Sequence, residues 1–337
     1  MAKRLTKLQV DEVSVVDKGA NNKRFLILKQ ANRGQGPDES GSIGKTYLAA
    51  LALQFVKEGS LSLDAKVERY QGKEPWFSRL PKALDMTVRM LLNHTSGLMN
   101  HDQKPAFLKS LMLMPDKKWK PGELLDFLAG ESPLFPAGQG WHYSDSNYIL
   151  VGSILEHLSG QPYYELLKQR VLMPLGLKET IPSDSRRIPG LVQGYAGEGN
   201  SFGLPDAMLV DGVFAVNPQA EWTGGGLAST AMDLARWAKL LYEGKAFDAS
   251  LLPVMLDGVA TDTGSEIRYG LGVVIRPTAL GPSYSHGGIF PGYRSVIVYF
   301  PEKKLSVALQ LNTSDSAAFP KPYFDMAIDV AQSVLGQ

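Results

Sequence analysis

Hydrophobic and polar positions follow strand-like patterns near both ends of the chain, whereas helical patterns dominate the middle. Residues 8–16 (LQVDEVSVV) and 24–30 (RFLILKQ) read as two strands, and the DKGANNK between them contains the glycine and asparagine residues that a hairpin turn favours. Four more strands are predicted near the C-terminus, at 269–276, 283–288, 294–300 and 305–312. An amphipathic helix at 323–335 is expected to cover one face of the resulting antiparallel sheet.

The middle of the chain is predicted to be mainly helical. After a loop at 31–41, the segment TYLAALALQFVK (46–57) is almost entirely apolar and stops before Gly59, which predicts a buried helix. Further helices are predicted at 87–93, 123–129, 146–158, 163–172 and 230–242.

These elements predict an α/β (α+β) fold, with an antiparallel sheet flanked by helices and an inserted, mainly helical lobe over about 60–250. In this arrangement residues 1–32 form an N-terminal hairpin that joins the sheet. Residues 33–337 form a single domain, with the sheet and the final helix over about 265–337.

Composition and charge narrow the classes of function. The 337 residues carry a formal charge of +1, which leaves no excess of positive charge for a phosphate backbone, so nucleic acid is not an expected partner. The lack of cysteine excludes disulfides, thiolate metal sites and a cysteine nucleophile. The five histidines include no pair spaced to bind one metal, and neither a metal nor another cofactor is expected.

Membrane insertion and export are not expected either. The chain contains no run of about 18 apolar residues and no signal-like segment near its start. As written, the sequence therefore predicts no membrane span and a cytoplasmic location.

A possible nucleophile lies just before the predicted buried helix. Ser42 and Lys45 form an S-x-x-K sequence, so both side chains would lie on one face of the first helical turn. Burial disfavours the ammonium form of a lysine, so the Lys45 amine could accept the serine proton.

Two other motifs compete with this interpretation. Gly44-Lys45-Thr46 matches the tail of a phosphate-binding loop, but Glu39 replaces the first glycine and no strand leads in, so nucleotide binding is a remote alternative. Gly199-Asn200-Ser201-Phe202-Gly203 matches a nucleophile elbow, but it lacks the flanking strand and helix, which predicts an ordinary loop.

Two later segments supply further parts of an acyl-transfer site. Tyr143 lies in WHYSDSN, which opens a predicted helix, and His286, Gly287 and Gly288 lie on a predicted strand. Together with Ser42 and Lys45 they would provide a nucleophile, a base, a proton relay and a backbone edge able to donate to an oxyanion.

From about Pro37 to its end, the chain resembles the serine β-lactamase and penicillin-binding protein superfamily, and in particular its class C β-lactamase-like branch. That branch includes D-Ala-D-Ala carboxypeptidases, D-amino-acid amidases and related esterases. The resemblance rests on seven segments in family order: GSIGKTYLAALALQFVKEGSLSLD, TVRMLLNHTSGL, FPAGQGWHYSDSNYILVGSILEHLSG, MPLGL, GGGLASTAMDLARWAKLL, YGLGVVI and YSHGGIFPGYRSVIVYFPEKKLSVALQLN. Residues 1–32 do not match and look instead like the opening of a phage head-maturation protein.

The resemblance implies a β-lactamase/transpeptidase-like fold and a role for each candidate residue. Ser42 would be the acylated nucleophile, Lys45 its base partner and Tyr143 the relay to the leaving group. His286 would open the third motif on the edge strand of the sheet, and the backbone N–H groups of Ser42 and Ile289, after Gly287 and Gly288, would form the oxyanion hole. By the same resemblance His94 lies in the NHTSGL segment, where a role in bracing the loop is favoured. Trp141 and Trp222 could border the cleft, but buried packing is favoured for both.

One position departs from the family pattern in a way that affects the chemistry. Members usually carry Tyr-x-Asn, whereas this chain has Tyr143-Ser144-Asp145. An ionised Asp145 can only accept hydrogen bonds, and its charge would favour a protonated Lys45 and weaken activity on amides and lactams. The alternative is that Asp145 only caps the following helix and points away from the cleft.

We therefore expect a serine hydrolase that forms an acyl-enzyme on Ser42 and hydrolyses small ester or amide substrates. An esterase or D-Ala-D-Ala carboxypeptidase-like activity is favoured over efficient β-lactam hydrolysis, because His286 lacks the permanent charge of a lysine. The alternative is a non-catalytic penicillin-binding-like protein that only binds its ligand. The sequence leaves the exact substrate and the oligomeric state open.

Overall fold

A computed structural model describes the backbone of residues 10–16 and 25–30 and, in full, residues 36–198, 200–264 and 266–336. The predicted hairpin turn at 17–23, residues 31–35 of the predicted loop, and Gly199 of the elbow-like motif lie outside the described residues. The mixed fold, with an antiparallel sheet flanked by helices, agrees with the predicted fold class.

The strands form one large sheet and two small ones. In chain order within the described residues they are β1 (Val10–Val16), β2 (Phe25–Gln30), β3 (Asp38–Glu39), β4 (Ile181–Pro182), β5 (Leu209–Val210), β6 (Val213–Phe214), β7 (Leu227–Ser229), β8 (Val259–Ala260), β9 (Arg268–Tyr269), β10 (Val274–Thr278), β11 (Gly281–Phe290), β12 (Tyr293–Phe300) and β13 (Leu305–Leu311). The large sheet has the order β1-β2-β13-β12-β11-β10-β9-β8, and all its pairs are antiparallel except the parallel pair of β2 and β13. One small sheet has the order β3-β7-β4, and its strand β3 directly precedes the S-x-x-K segment in the sequence.

The helices of the described residues lie mostly between β3 and β8. They are α1 (Gly44–Lys57), α2 (Glu68–Gln71), α3 (Val88–Leu92), α4 (Pro105–Leu113), α5 (Pro121–Leu125), α6 (Asp145–Ser159), α7 (Tyr163–Leu167), α8 (Met173–Leu175), α9 (Ala231–Tyr242), α10 (Leu252–Met255) and α11 (Tyr323–Leu335). A π-helical turn at Lys168–Leu172 joins α7 to α8. None of the described helices is both long and apolar enough to cross a membrane.

The large sheet is buried on both faces because successive side chains of a strand point to opposite sides. In β12, Ile297 and Tyr299 pack with the helical lobe, whereas Val296 and Val298 pack with α11 on the opposite face. The helix α1 is as buried as its composition predicts, since every side chain from Ile43 to Leu53 is fully inaccessible to solvent.

One predicted strand is wrong. The segment 269–276 forms two short strands, β9 and β10, separated by a turn at Gly270–Val273. Gly272 has a positive φ of 70°, and a Cβ there would lie 2.9 Å from the Cβ of Ala49. The chain therefore bends at this position to pass close to α1, which only glycine permits.

Candidate active site

The S-x-x-K segment forms the turn that leads into α1. Ser42 lies in a 3-10 turn, Gly41–Ile43, which continues directly into the helix, and Lys45 follows one turn later on the same face. Ser42 is half-buried at the edge of a cleft, whereas Lys45 is completely buried. The Lys45 Nζ lies 2.9 Å from the Ser42 Oγ. The structure therefore brings together the two residues that the motif predicts.

The Lys45 side chain has three polar partners, as many as an ammonium group has protons. Its Nζ donates to the Ser42 Oγ and to the Gly224 carbonyl, and it forms an ion pair with the Asp145 Oδ1. Burial acts to lower the pKa of Lys45, but the negative charge of Asp145 outweighs it and holds that pKa above its ordinary value. This direction favours the ammonium form of Lys45 at neutral pH, as expected from the charge of Asp145, so Lys45 must lose a proton before it can act as a base.

Asp145 is a partner of Lys45 rather than a helix cap. Helix α6 begins at Asp145 itself, and the preceding Ser144 makes no side-chain capping bond. The Asp145 side chain is only 10% exposed and contacts Lys45, while its backbone N–H donates to the Asn100 Oδ1 at 2.9 Å. The alternative in which Asp145 points away from the cleft is therefore wrong.

Tyr143 lies next to the Lys45–Asp145 pair. The Lys45 Nζ is 4.9 Å from the centre of the Tyr143 ring. The Tyr143 hydroxyl is buried and has no hydrogen bond of ordinary geometry to any described residue. Burial raises the pKa of Tyr143, although the charge of Lys45 acts against this, so the hydroxyl keeps its proton at neutral pH.

His286 lies on β11 and is held as a neutral imidazole. Its Nδ1 is 2.7 Å from the Gly287 carbonyl, which can only accept, so Nδ1 carries the proton. Its Nε2 then accepts from the Tyr269 hydroxyl at 2.9 Å. Burial is the main cause that lowers the pKa of His286 to about 3.

The position of β11 corrects one detail of the sequence interpretation. This strand is interior to the large sheet, not its edge. However, β10 pairs only with residues 281–285, so among the described strands residues 286–290 pair with β12 alone. His286 and Ile289 consequently lie on a local free edge that faces the S-x-x-K turn.

Two glycines let this local edge of β11 approach the turn that carries Ser42. A Cβ on Gly288 would lie 1.9 Å from the Ser40 carbonyl oxygen, and a Cβ on Gly41 would lie 2.8 Å from the Ile289 nitrogen. The Ser295 Oγ on β12 donates to the same Ser40 carbonyl at 2.6 Å and fixes the approach. The Ile289 backbone is therefore packed against the turn that carries Ser42, as a pair of oxyanion donors at Ser42 and Ile289 requires.

One cleft of about 610 Å³ is lined by Ser42, Tyr143, Asp145, His286 and Ile289. Its walls are largely apolar and include Phe107, Leu111 and Phe290. Its charged lining residues beyond Asp145 are Asp102, Glu221 and Arg276. Sequence reasoning did not find these three residues or the Gly224 carbonyl, although Gly224 lies in the quoted GGG segment.

The remaining residues considered from the sequence lie outside the reacting centre. His94 is fully buried and accepts from Ser144 N–H at 3.3 Å, consistent with a role in bracing the loop. Trp141 borders the cleft, whereas Trp222 is 6% exposed and packs against Tyr163.

Neither competing motif has the structure its chemistry requires. Ser201 is exposed in a turn, and among the described residues no strand leads directly into it and no helix starts directly after it. In the segment that resembles a phosphate loop, the Lys45 Nζ already donates to the Ser42 Oγ and the Gly224 carbonyl. The Thr46 hydroxyl donates to the Ile43 carbonyl at 2.7 Å and accepts from the Trp237 Nε1 at 2.7 Å.

The fold and the site together define a class of protein. An antiparallel sheet and a helical lobe enclose a Ser-x-x-Lys turn at the start of a buried helix. The family model described as Beta-lactamase matches residues 31–330. The chain therefore belongs to the Beta-lactamase family.

Three similar proteins illustrate this membership. Penicillin-binding protein 4* of Bacillus subtilis (strain 168) is 27% identical over 290 residues, which cover 82% of this chain and 61% of that protein. A D-stereospecific amidohydrolase from Streptomyces sp. is 26% identical, with a TM-score of 0.77 over 88% of this chain and 89% of the other. The D-amino acid amidase from Ochrobactrum anthropi SV3, complexed with D-phenylalanine, is 28% identical, with a TM-score of 0.72 over 87% and 84%. This chain thus spans less than two-thirds of the length of the penicillin-binding protein.

Proposed function

We propose that this protein is a serine hydrolase that forms an acyl-enzyme on Ser42 and hydrolyses small ester or amide substrates. The observation that carries this proposal is the 2.9 Å contact between the Lys45 Nζ and the Ser42 Oγ at the wall of an open cleft. Tyr143 and the β11 edge lie in the same cleft and supply the remaining groups that acyl transfer needs.

The reaction begins when Lys45 has lost its extra proton. The Ser42 Oγ attacks the substrate carbonyl carbon and its proton passes to the Lys45 amine, while the carbonyl oxygen becomes an oxyanion facing the Ser42 and Ile289 N–H groups. The bond to the leaving group then breaks, and the leaving group takes a proton from Lys45 through the Tyr143 hydroxyl. Water attacks the acyl-enzyme by the same proton path, which releases an acid and restores Ser42.

The cleft and the relatives support esters and amides as the substrate class. The apolar wall formed by Phe107, Leu111 and Phe290 suits a substrate with an apolar acyl or side-chain group. His286, as a neutral imidazole, offers no positive charge to a substrate carboxylate. Arg276 lies in the same cleft on the neighbouring strand β10, and its guanidinium can pair with such a carboxylate. The two similar amide-hydrolysing proteins favour amides, including those of D-amino acids.

Covalent labelling followed by peptide mapping tests the proposal. The purified protein is treated with a fluorophosphonate, and separately with a labelled penicillin, across neutral and alkaline pH, and the adduct is located by mass spectrometry. We expect the fluorophosphonate adduct on Ser42, and loss of both labelling and p-nitrophenyl ester turnover in Ser42→Ala but not in the matched control Ser201→Ala. An adduct on Ser201, or turnover that survives in Ser42→Ala, would show that the nucleophile has been misidentified.

A second candidate function has one observation in its favour. Because Asp145 holds Lys45 as an ammonium, the resting site has no free base, which suits a non-catalytic binding protein. In that case Ser42 would remain unlabelled at every pH, while a substrate-like ligand would still bind in calorimetry.

A further inference from the structure

His94 follows the end of α3 in a backbone conformation that favours glycine. The Thr95 N–H donates to the Met90 carbonyl at 2.9 Å, and the His94 N–H donates to the Leu91 carbonyl at 3.3 Å, which is the bond pattern of a Schellman motif. His94 occupies the left-handed position of this motif with a φ of 63°, where glycine is usual because a Cβ is strained there. A fully buried side chain is kept at such a position by the contacts it makes.

The contacts of His94 hold the chain on both sides of Tyr143. The His94 carbonyl accepts from the His142 N–H at 3.0 Å. The His94 Nδ1 accepts from the Ser144 N–H at 3.3 Å and lies 3.1 Å from the Asn147 Nδ2. Only Tyr143 lies between the two backbone groups that His94 holds, and the centre of its ring is 4.3 Å from that of the His94 ring. His94 therefore contacts both the flanking backbone and the ring of Tyr143.

These bonds require a neutral His94 with its proton on Nε2. A backbone N–H can only donate, so the Nδ1 that faces Ser144 must carry a lone pair. An imidazolium would place a proton on Nδ1 and break both of its bonds. Burial is the largest cause that lowers the pKa of His94 well below its ordinary value, and the charge of Lys45 acts in the same direction.

We propose that His94 is a positioning residue of this site. Its carbonyl and Nδ1 hold the backbone on either side of Tyr143 and its ring supports the phenol ring, so that Tyr143 stays beside Lys45, whose Nζ is 4.9 Å from the centre of that ring. The Tyr143 hydroxyl has no hydrogen bond of ordinary geometry to any described residue, so its position depends on these backbone and ring contacts. The consequence for catalysis rests on the proposed function, in which Tyr143 delivers a proton to the leaving group, whereas the contacts themselves do not.

Nitrogen-15 NMR tests the contacts without any need for turnover. The full chain is labelled at the histidine ring nitrogens, and the signals lost in His94→Asn are those of His94. We expect a neutral ring with its proton on Nε2 from about pH 5 to about pH 8, the range in which an ordinary histidine changes charge. If His94→Asn does not fold, His94→Gly, which adopts this φ without strain, supplies the assignment. A proton on Nδ1, or a titration like that of an ordinary histidine, would contradict the assigned bonds.

Two esters of one acid test the role in catalysis. A p-nitrophenolate leaves without a proton, whereas an ethoxide must take one, which in the proposed reaction arrives through the Tyr143 hydroxyl. His94→Phe keeps a ring but loses the Nδ1 acceptor, so kcat/KM should fall by about 10-fold to 100-fold for ethyl acetate and by less than about 3-fold for p-nitrophenyl acetate. His94→Asn keeps an acceptor at the δ position and tolerates a left-handed backbone, so it should preserve most of the activity on ethyl acetate. If His94→Phe does not fold, His94→Gly takes its place.

A double-mutant cycle shows whether His94 acts through Tyr143. Tyr143→Phe already lacks the hydroxyl, so the addition of His94→Phe should cause no further fall in kcat/KM for ethyl acetate. The matched control is His101→Phe, because His101 is also buried and contacts α6, but through the Ser146 Oγ, 3.0 Å from its Nδ1. This control should lower the melting temperature and leave the ratio of the two esters unchanged. Effects that multiply in the double variant, or equal losses in His94→Asn and His94→Phe, would overturn the positioning role.

The two methods separate this inference from the proposed function. A protein that hydrolyses neither ester refutes the proposed function and with it the relay, while the NMR result still decides whether His94 holds the backbone around Tyr143. A protein that hydrolyses only p-nitrophenyl acetate would show that Tyr143 relays no proton, which would overturn the role of His94 in catalysis.

Discussion

Replacing Asp145 with asparagine removes the negative charge that lies against Lys45. The two side chains are 10% and 0% exposed, so bulk water does little to screen the pair. Asparagine has nearly the same shape and keeps an oxygen that can accept from the Lys45 Nζ. The variant therefore changes the charge of the site while disturbing its packing very little.

The magnitude follows from the position of the charge. An opposite charge in direct contact shifts a pKa by about 1–3 units, and burial without that charge acts to lower the pKa of Lys45. Since each unit is a tenfold change in the neutral fraction, Asp145→Asn should increase the neutral fraction of Lys45 at neutral pH by about 10-fold to 1000-fold. If neutral Lys45 is the base, kcat/KM at neutral pH should rise, and its plateau should be reached at a pH lower by about 1–3 units.

The same change should reduce stability over a definite pH window. The folded-state pKa of Lys45 is raised and that of Asp145 is lowered, so their ion pair stabilises the fold from above about pH 4 up to about pH 10. This contribution is lost as the pH rises through the folded-state pKa of Lys45 or falls through that of Asp145. The difference in melting temperature between parent and variant should therefore be constant near neutral pH and shrink toward both extremes.

The assay is a pH–rate profile with p-nitrophenyl acetate from about pH 6 to about pH 10, corrected for hydrolysis by buffer. Because the pKa of Lys45 in the parent lies above its ordinary value, the parent's rate should still be rising at the upper end of this range, whereas the rate of Asp145→Asn should be higher throughout and level off earlier. Asp64→Asn is a suitable control, because Asp64 is 72% exposed, pairs with Arg89 and does not line the cleft. It removes the same formal charge and should leave the profile unchanged. Superimposable profiles for the parent and Asp145→Asn would refute the argument that Asp145 controls the protonation of Lys45.

Three further variants test other parts of the structure. Gly288→Ala places a Cβ 1.9 Å from the Ser40 carbonyl oxygen. We expect the free energy of unfolding, measured by chemical denaturation, to fall by about 1–3 kcal/mol and kcat to fall about 100-fold or more. An unchanged kcat would show that the β11 edge does not bind the oxyanion. Arg276→Gln should raise the KM of a peptide with a free C-terminal carboxylate about 10-fold and leave the KM of the matching peptide amide unchanged. Equal effects on both KM values would show that Arg276 is a packing residue. Deleting residues 1–32 removes β1 and β2 and leaves β13 as an edge of the large sheet. We expect the variant to aggregate, as seen by light scattering, or to have a lower melting temperature in calorimetry. A soluble variant with the parent's melting temperature would contradict this.

Local pattern was enough to predict the main elements and the pairing of Ser42 with Lys45. The helix at 46–57 and the strands at 294–300 and 305–312 agree with α1, β12 and β13 to within two residues at each end. Ser42 and Lys45 are three residues apart at a helix start, so helix geometry alone places their side chains together. Predictions of this kind depend on neighbours in the chain, which the sequence contains directly.

Other features depend on contacts between distant segments, and no local pattern contains them. Gly224 accepts from Lys45 across 179 residues, and the Asp145 N–H donates to the Asn100 Oδ1 across 45 residues. The break between β9 and β10 likewise reflects the close approach of Gly272 to α1.

The protonation state of Lys45 shows most directly what the sequence determined and what it left to the tertiary structure. The sequence placed a lysine in an apolar helix and an aspartate next to Tyr143, and these imply opposite shifts in the pKa of the lysine. The result depends on the distance between the two charges and on their burial. Only the folded chain sets both quantities, and by placing Asp145 in contact with a completely buried Lys45 it makes the resting lysine an ammonium.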